Sequence, residues 1–238
     1  MTLDMRWNEQ SQGAVRHFWS TRSTQSDSQG TKSGQKDAGA RGAVTGGKQL
    51  QGFSDLISDY LEESGLDRPT IHCDRMAEIP GWYRPEKRWD LLVIADGRLV
   101  AAMEVKSQVG SFGNNFNNRT EEALGSATDL WAAYREGAFA PSQRPWLGYF
   151  MMVEDAPESN RPVGATQSHF KVFPEFIGAS YTKRYEILLT KLIRDRHYDS
   201  ACLLTSSRED GIRGNYGEPS PELSFSNLLA SLRARVLA

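Results

Sequence analysis

Asp90, Glu104 and Lys106 have the residue types and spacing to do chemistry. They lie at the ends of two apolar runs, residues 91–94 and 99–103, joined by Ala95-Asp96-Gly97-Arg98. Runs of this length, rich in branched residues and divided by a turn, read as a β-hairpin. Asp90 opens the first run, while Glu104 and Lys106 close the second two residues apart, so both side chains fall on one face of a pleated strand. Two carboxylates and a lysine beside apolar β-structure are costly unless something compensates them. A hard divalent cation such as Mg2+ does so with oxygen ligands. A lysine next to that ion can orient or deprotonate an attacking water, or balance charge developing on a phosphate.

The hairpin sets a condition on this chemistry. A strict two-residue turn on Asp96-Gly97 would oppose Asp90 to Met103 and send Glu104 to the other side. A shared face therefore requires an odd connection. A three-residue loop, Ala95-Asp96-Gly97, with Gly97 at positive φ as a G1 bulge, is the expected solution.

On these three residues alone, the polar ends of an ordinary hairpin fit equally well. The triplet nevertheless resembles the PD-(D/E)xK nuclease superfamily, with Asp90 as the first acid and Glu104-Val105-Lys106 as the second element; Trp89 stands where the motif has proline. The flanks are more specific. PGWYRPEKRWDLLV (80–93) leads in and EVKSQVGSFGNNFNNRTEEALGSATDLWAAYREGAF (104–139) leads out, and both are similar to the XhoI-type restriction endonucleases. The likeness extends from AVTGGKQ (43–49) to RYEILLTKLIRDRHYDSACLL (184–204).

That resemblance implies a restriction-endonuclease-like α/β sandwich, in which a central mixed sheet with an αβββαβ core is flanked by helices. It implies a Type II enzyme making Mg2+-dependent double-strand cuts in DNA at a palindromic six-base-pair site, CTCGAG for XhoI-type enzymes. Asp90 and Glu104 are then expected to ligate the metal, with the Val105 carbonyl as a third ligand, and Lys106 to act on the water or the scissile phosphate. In nucleases of this kind the helix before the sheet sometimes adds an acid, for which Asp55, Asp59 and Glu62 are candidates. Because one such site cuts one strand, a homodimer on a palindrome is expected. Two rivals stay open: a PD-(D/E)xK nuclease of repair or recombination, and a catalytically idle DNA-binding protein.

The 238 residues suffice for one α/β domain, placed at 49–238 behind an N-terminal helix and flexible arm at 1–48. A net charge of −2 gives no global signature of a polyanion binder, so any basic surface must be local. Cys73 and Cys202 form no CxxC or Cys/His cluster, which argues against zinc and against a disulfide framework. The sequence lacks an apolar run of membrane-spanning length and a signal-peptide pattern, so a cytoplasmic protein without a membrane partner is expected. AVTGGKQ lacks the glycine–lysine spacing of a P-loop, and no nucleotide cofactor is expected.

The elements that must position the site can be placed by periodicity. A short helix is expected over 7–19, and residues 20–47 read as a flexible linker or as a phosphate-contacting arm using Lys32, Lys36, Arg41 and Lys48. Phe53, Leu56, Ile57, Tyr60 and Leu61 predict an amphipathic helix over 53–63, ended by Gly65. Residues 70–74 predict a short strand. A loop around 80–85 brings Arg84, Lys87 and Arg88 close to Asp90 in sequence, where cations suit a phosphodiester. Residues 107–118 read as a loop whose Asn114, Asn115, Asn117 and Asn118, with Arg119, form the expected DNA-reading segment, since Asn pairs with adenine edges and Arg with guanine. Asn118 also fits the cap of a helix over 119–136, closed by Gly137. Strands follow at 146–153 and 200–205, with an amphipathic helix on Tyr185, Leu188, Leu189, Leu192 and Ile193 between them. His169 and Lys171 lie in a proline-interrupted stretch before that helix. A last helix is expected to start at Ser220-Pro221.

Overall fold

Apolar residues at helical spacing build the first layer. The protein is seen in a computed structural model describing residues 3–30, 39–73, 75–167 and 169–237, with side chains at 7–24 and from 48 onward except Pro69. Helix α1 (Leu3–Gly30) buries Ala14, Val15, Phe18 and Trp19, and α2 (Gly39–Glu63) buries Leu50, Phe53, Leu56, Ile57 and Leu61 in the same cluster. Gly65 ends α2 at φ 103, with Leu66 N–H donating to the Leu61 carbonyl. The linker expected over 20–47 is helical on both sides of residues 31–38. Trp19 anchors the extension of α1, donating its indole N–H to Ser206 Oγ at 3.2 Å. Lys32, Lys36 and the side chain of Arg41 lie outside the described residues, while Lys48 is exposed.

A 3-10 turn over Arg68–Thr70 leads into β1 (Ile71–His72), shorter than expected, and Asp74 lies outside the described residues. Next comes a two-stranded antiparallel ribbon, β2 (Glu78–Pro80) with β3 (Glu86–Arg88), where the sequence suggested only a loop. The hairpin β4 (Leu91–Ala95) and β5 (Arg98–Gln108) follows, then α3 (Phe112–Arg135), β6 (Trp146–Glu154), the short α4 (Pro157–Asn160), α5 (Tyr181–Arg194), β7 (Ser200–Ser206), the short α6 (Arg208–Ile212) and α7 (Phe225–Val236). Ser224, not Ser220, caps α7, because Pro221–Leu223 forms a separate 3-10 turn. Leu223, Leu228, Leu229 and Leu232 are buried as their spacing predicts.

The main sheet runs in the order β1-β4-β5-β6-β7, antiparallel through β5 and parallel from β5 to β7. Alternation along the strands divides the core. Leu91, Val93, Ala101, Met103, Val105, Phe150 and Met152 face α1, α2 and α7. Leu92, Ala102, Leu147, Tyr149, Met151 and Val153 face α3 and α5. The mixed sheet between two helical layers has the αβββαβ order of a restriction-endonuclease-like fold, as the sequence implied. Among the described residues no helix is long and apolar enough to cross a membrane.

Candidate active site

The site depends on one extra residue in β5. Asp96 and Gly97 both take positive φ, 52° and 71°, the conformation of a two-residue type I′ turn, so the expected three-residue loop is not present. The compensation lies further along: Val93 pairs with Ala101 but Ile94 pairs with Leu99, leaving Val100 as a bulge. Beyond that bulge Leu91 pairs with Met103, and Asp90 consequently stands opposite Glu104. The required odd residue exists, three positions after Gly97. Asp90, Leu92, Ala102, Glu104 and Lys106 thus share the face turned toward α3.

Contacts within the cluster are direct. Lys106 Nζ donates to Asp90 Oδ2 at 2.6 Å and also contacts Glu104 Oε2. Val105 N–H donates to the same Asp90 oxygen at 2.8 Å. A strand residue directs its N–H and C=O to the same edge, so the Val105 carbonyl faces the edge occupied by the Asp90 carboxylate. A second lysine completes the group: Lys87 of β3 pairs with Glu104 Oε1 and lies 4.3 Å from the centre of the Trp89 ring. Side-chain exposure rises from 2% at Glu104 through 12% at Lys87 and 23% at Lys106 to 37% at Asp90, so Glu104 is the floor and Asp90 the mouth.

The electrostatics follow this gradient. Burial is the largest influence on Glu104 and pushes its carboxyl up, but the Lys106 and Lys87 ammonium groups together outweigh it and hold it at about 2. Burial raises Asp90, with the Glu104 charge adding to it, against the opposing pull of Lys106 and the Val105 N–H. Burial lowers Lys106, yet the two carboxylates it touches hold it above the ordinary lysine value. Beside Glu104 in β6, the Tyr149 hydroxyl is buried with no hydrogen-bond partner among the described residues, and burial raises its pKa.

A carboxylate as buried as Glu104 requires positive charge, and the lysines provide it here. Asp90, Glu104 and the Val105 carbonyl form an oxygen donor set at one strand edge that fits a hard divalent ion. Among the described residues no group of three or more His, Cys, Asp or Glu side chains could hold a metal. An ion on this set would therefore be held by two carboxylates and complete its shell with water, carbonyl or phosphate oxygens, which is the habit of Mg2+. Asp55, Asp59 and Glu62 do not join the cluster: Asp55 pairs with Gln51, and Asp59 and Glu62 pair with Arg68 on the exposed side of α2.

The other residues singled out in the sequence lie on the β2–β3 ribbon, on α3 and in the stretch before α5. Arg84 Nε donates to Asp129 Oδ2 at 2.6 Å, and Arg88 pairs loosely with Glu78 at 3.4 Å. Asn114, Asn115, Asn117, Asn118 and Arg119 stand on the first turns of α3, which begins seven residues earlier than expected. Asn118 is therefore not a cap; Ser111 precedes the helix, in the left-handed region at φ 46°. The earlier start has a packing cause: Phe112 and Phe116 lie against Tyr181 and Tyr185, with ring centres 6.0 and 5.2 Å apart. Asn114, Asn117 and Asn118 are exposed, Asn115 is half-buried, and Arg119 reaches back toward the Ser107 carbonyl at 3.4 Å and pairs with Glu122. His169 and Lys171 are exposed in the stretch before α5. Sequence reasoning missed the contact of Lys87 with Glu104, and it missed Asp129. The latter left a signal, since a carboxylate at 129 shares the buried stripe of Ser126, Leu130 and Ala133.

A mixed sheet whose hairpin brings acid, acid and lysine onto one face is the architecture of a restriction-endonuclease-like nuclease domain. The family model described as "Restriction endonuclease XhoI" matches residues 29–218, and the chain belongs to that family. It is 48% identical over 207 residues to the Type II restriction enzyme BstVI of Geobacillus stearothermophilus, covering 84% of this chain and 92% of that one. It is 51% identical over 174 residues to AbrI of Azospirillum brasilense (72% and 78% covered), also a Type II restriction enzyme. It is 42% identical over 197 residues to the Type II restriction enzyme XhoI of Xanthomonas vasicola (81% and 78% covered). No solved structure matches the chain.

Proposed function

We propose that this chain is a cytoplasmic Type II restriction endonuclease that cuts both strands of double-stranded DNA at a palindromic six-base-pair site, CTCGAG, with Mg2+ as cofactor and as a homodimer. The observation that carries this reading is the Val100 bulge, which puts Asp90 opposite Glu104 with Lys106 between them. Membership of the XhoI family supports the same reaction.

In this reading Asp90, Glu104 and the Val105 carbonyl would hold the ion, which when bound would supply Lewis acidity at the scissile phosphate. Lys106, fixed between the two carboxylates, orients the attacking water and donates to the scissile phosphate. Lys87 keeps the buried Glu104 ionised from its other oxygen. Arg84 and Arg88 approach the backbone, while the exposed asparagines of α3 and Arg119 read base edges. Asn with adenine and Arg with guanine are pairings that CTCGAG offers in each half-site.

Digestion of closed circular DNA with and without Mg2+, with the ends mapped by sequencing, tests the proposal. Discrete Mg2+-dependent fragments ending at CTCGAG are expected. Discrete ends at another palindrome would keep the reaction and replace the site. Degradation from ends alone would point to a repair or recombination nuclease, and intact circles to an idle DNA-binding protein.

A further inference from the structure

The turn joining β2 to β3 is held from outside. Asp129 of α3, only 3% exposed, accepts the backbone N–H groups of Trp82 and Tyr83 on Oδ1 at 2.8 and 2.9 Å and Arg84 Nε on Oδ2 at 2.6 Å. A Cβ at position 81 would lie 2.7 Å from Asp129 Oδ2, so glycine is what lets the turn come this close. Pro80 and Pro85 bracket it and remove backbone freedom on both sides. Burying a carboxylate is costly, and here three donors aimed at one side chain offset that cost.

The clamp presents two large aromatics to solvent. Trp82 is 52% exposed and Tyr83 71%, and Trp82 is the exposed tryptophan among the described residues. Neither ring contributes to the core clusters. The same ribbon carries Lys87, which touches Glu104, so the tip is tied to the catalytic cluster. Tyr83 precedes Lys87 by four residues, so their Cα atoms are at most about 14 Å apart. That corresponds to about four nucleotides of one DNA strand. The half-exposed Arg84 follows the rings in the turn, and Arg88 stands at the other end of the ribbon, paired with Glu78, both with charge complementary to phosphate.

Resting on the DNA-cleaving reading above, we infer that the Gly81–Arg84 tip is a preformed DNA-contacting element. Trp82 and Tyr83 lie in a groove of the duplex a few nucleotides from the cleaved phosphate, and Asp129 is their positioning residue. Ring faces pack on deoxyribose and base edges, while the indole N–H and phenol O–H donate to groove acceptors. Because Asp129 orders the turn before binding, little ordering entropy is lost on the DNA.

The test uses a fluorescent duplex carrying the sequence mapped by digestion, bound in Mg2+ by the full chain in a Lys106→Ala background. Trp82→Ala and Tyr83→Ala are each expected to weaken binding tenfold or more with an unchanged melting temperature, since both side chains are exposed. Asp129→Ala should weaken it comparably, whereas Asp129→Asn, which retains an acceptor for the two N–H groups, should lose less. Hydrogen exchange at the Trp82 and Tyr83 amides should rise in step with those losses. Duplex should also shield tryptophan fluorescence from acrylamide, and Trp82→Phe should remove most of that shielding. Unchanged affinity in Trp82→Ala and Tyr83→Ala, or an Asp129→Ala variant that melts earlier yet binds normally when folded, overturns this inference alone. Failure of the unsubstituted chain to bind the duplex overturns the functional reading and this inference together.

Discussion

At the residue scale, Glu104 is a buried carboxylate held between two ammonium groups, Lys106 on one oxygen and Lys87 on the other. Asp90, Glu104 and Lys106 announce themselves because strand alternation is local: an acid and a lysine two apart must share a face. Lys87 reaches Glu104 through the fold of a ribbon whose pairing no short-range pattern announced, so its partner could not be read from spacing. Alanine at Asp90, Glu104 or Lys106 is expected to abolish cleavage while DNA binding in gel-shift assays persists, because groups elsewhere supply the affinity. Glu104 also predicts an acid dependence. Held at about 2 against an ordinary value of 4.5, it contributes stability that is present above about pH 4.5 and lost as pH falls toward 2. Asp90, raised by burial, works against this at the same pH. Lys87→Met should move the acid unfolding midpoint to higher pH, seen in thermal melts between pH 5 and 2. Arg88→Ala, which removes an exposed pair worth about 0.2–1 kcal/mol, should leave the midpoint in place.

At the element scale the hairpin shows how far parity arguments reach. That an odd residue had to intervene between Asp90 and Glu104 followed from the two-fold period of a strand. Where it sits did not, because a type I′ turn on Asp96-Gly97 and a bulge at Val100 satisfy the same parity as a three-residue loop. Deleting Val100 should return Asp90 to the register of Met103 and abolish cleavage, and mapped digestion of a variant that retains its far-UV circular dichroism checks this. Normal cleavage by that variant would remove the bulge from the account. Helix α3 gives the opposite lesson. Glycine and four asparagines weaken helix propensity over 113–118, yet contacts of Phe112 and Phe116 with Tyr181 and Tyr185 outweigh it. Asn117→Ala should then keep or slightly raise the melting temperature. If Asn117 reads a base, the same change should relax discrimination by about 1–3 kcal/mol, measured by cleavage of singly altered sites.

At the scale of the whole molecule, alternating apolar strands and amphipathic helices made the layered fold legible, but how the N-terminal segment attaches was not. Residue 48 falls inside α2, and Trp19 of α1 reaches Ser206 at the end of β7 while packing so closely on Gly211 that a Cβ there would lie 1.9 Å from its ring. Trp19→Ala should therefore cost about 3–5 kcal/mol, read as a loss of denaturation midpoint. The proposed reaction predicts an assembly that matches the symmetry of its substrate. If one cluster of Asp90, Glu104 and Lys106 directs water onto one phosphodiester, as proposed, then because the strands of a palindrome are related by a dyad the direct route to a double-strand cut would place a second copy across that axis. In the proposed homodimer each copy would read one half-site from α3 and the Gly81–Arg84 tip, and the two clusters would face opposite strands. Sequence could not locate the interface, because self-complementarity belongs to a folded surface. Sedimentation of the chain alone and on duplex should find two copies per DNA. One copy in both states would exclude the dyad arrangement and require two successive nicks, with open circular DNA accumulating ahead of linear product.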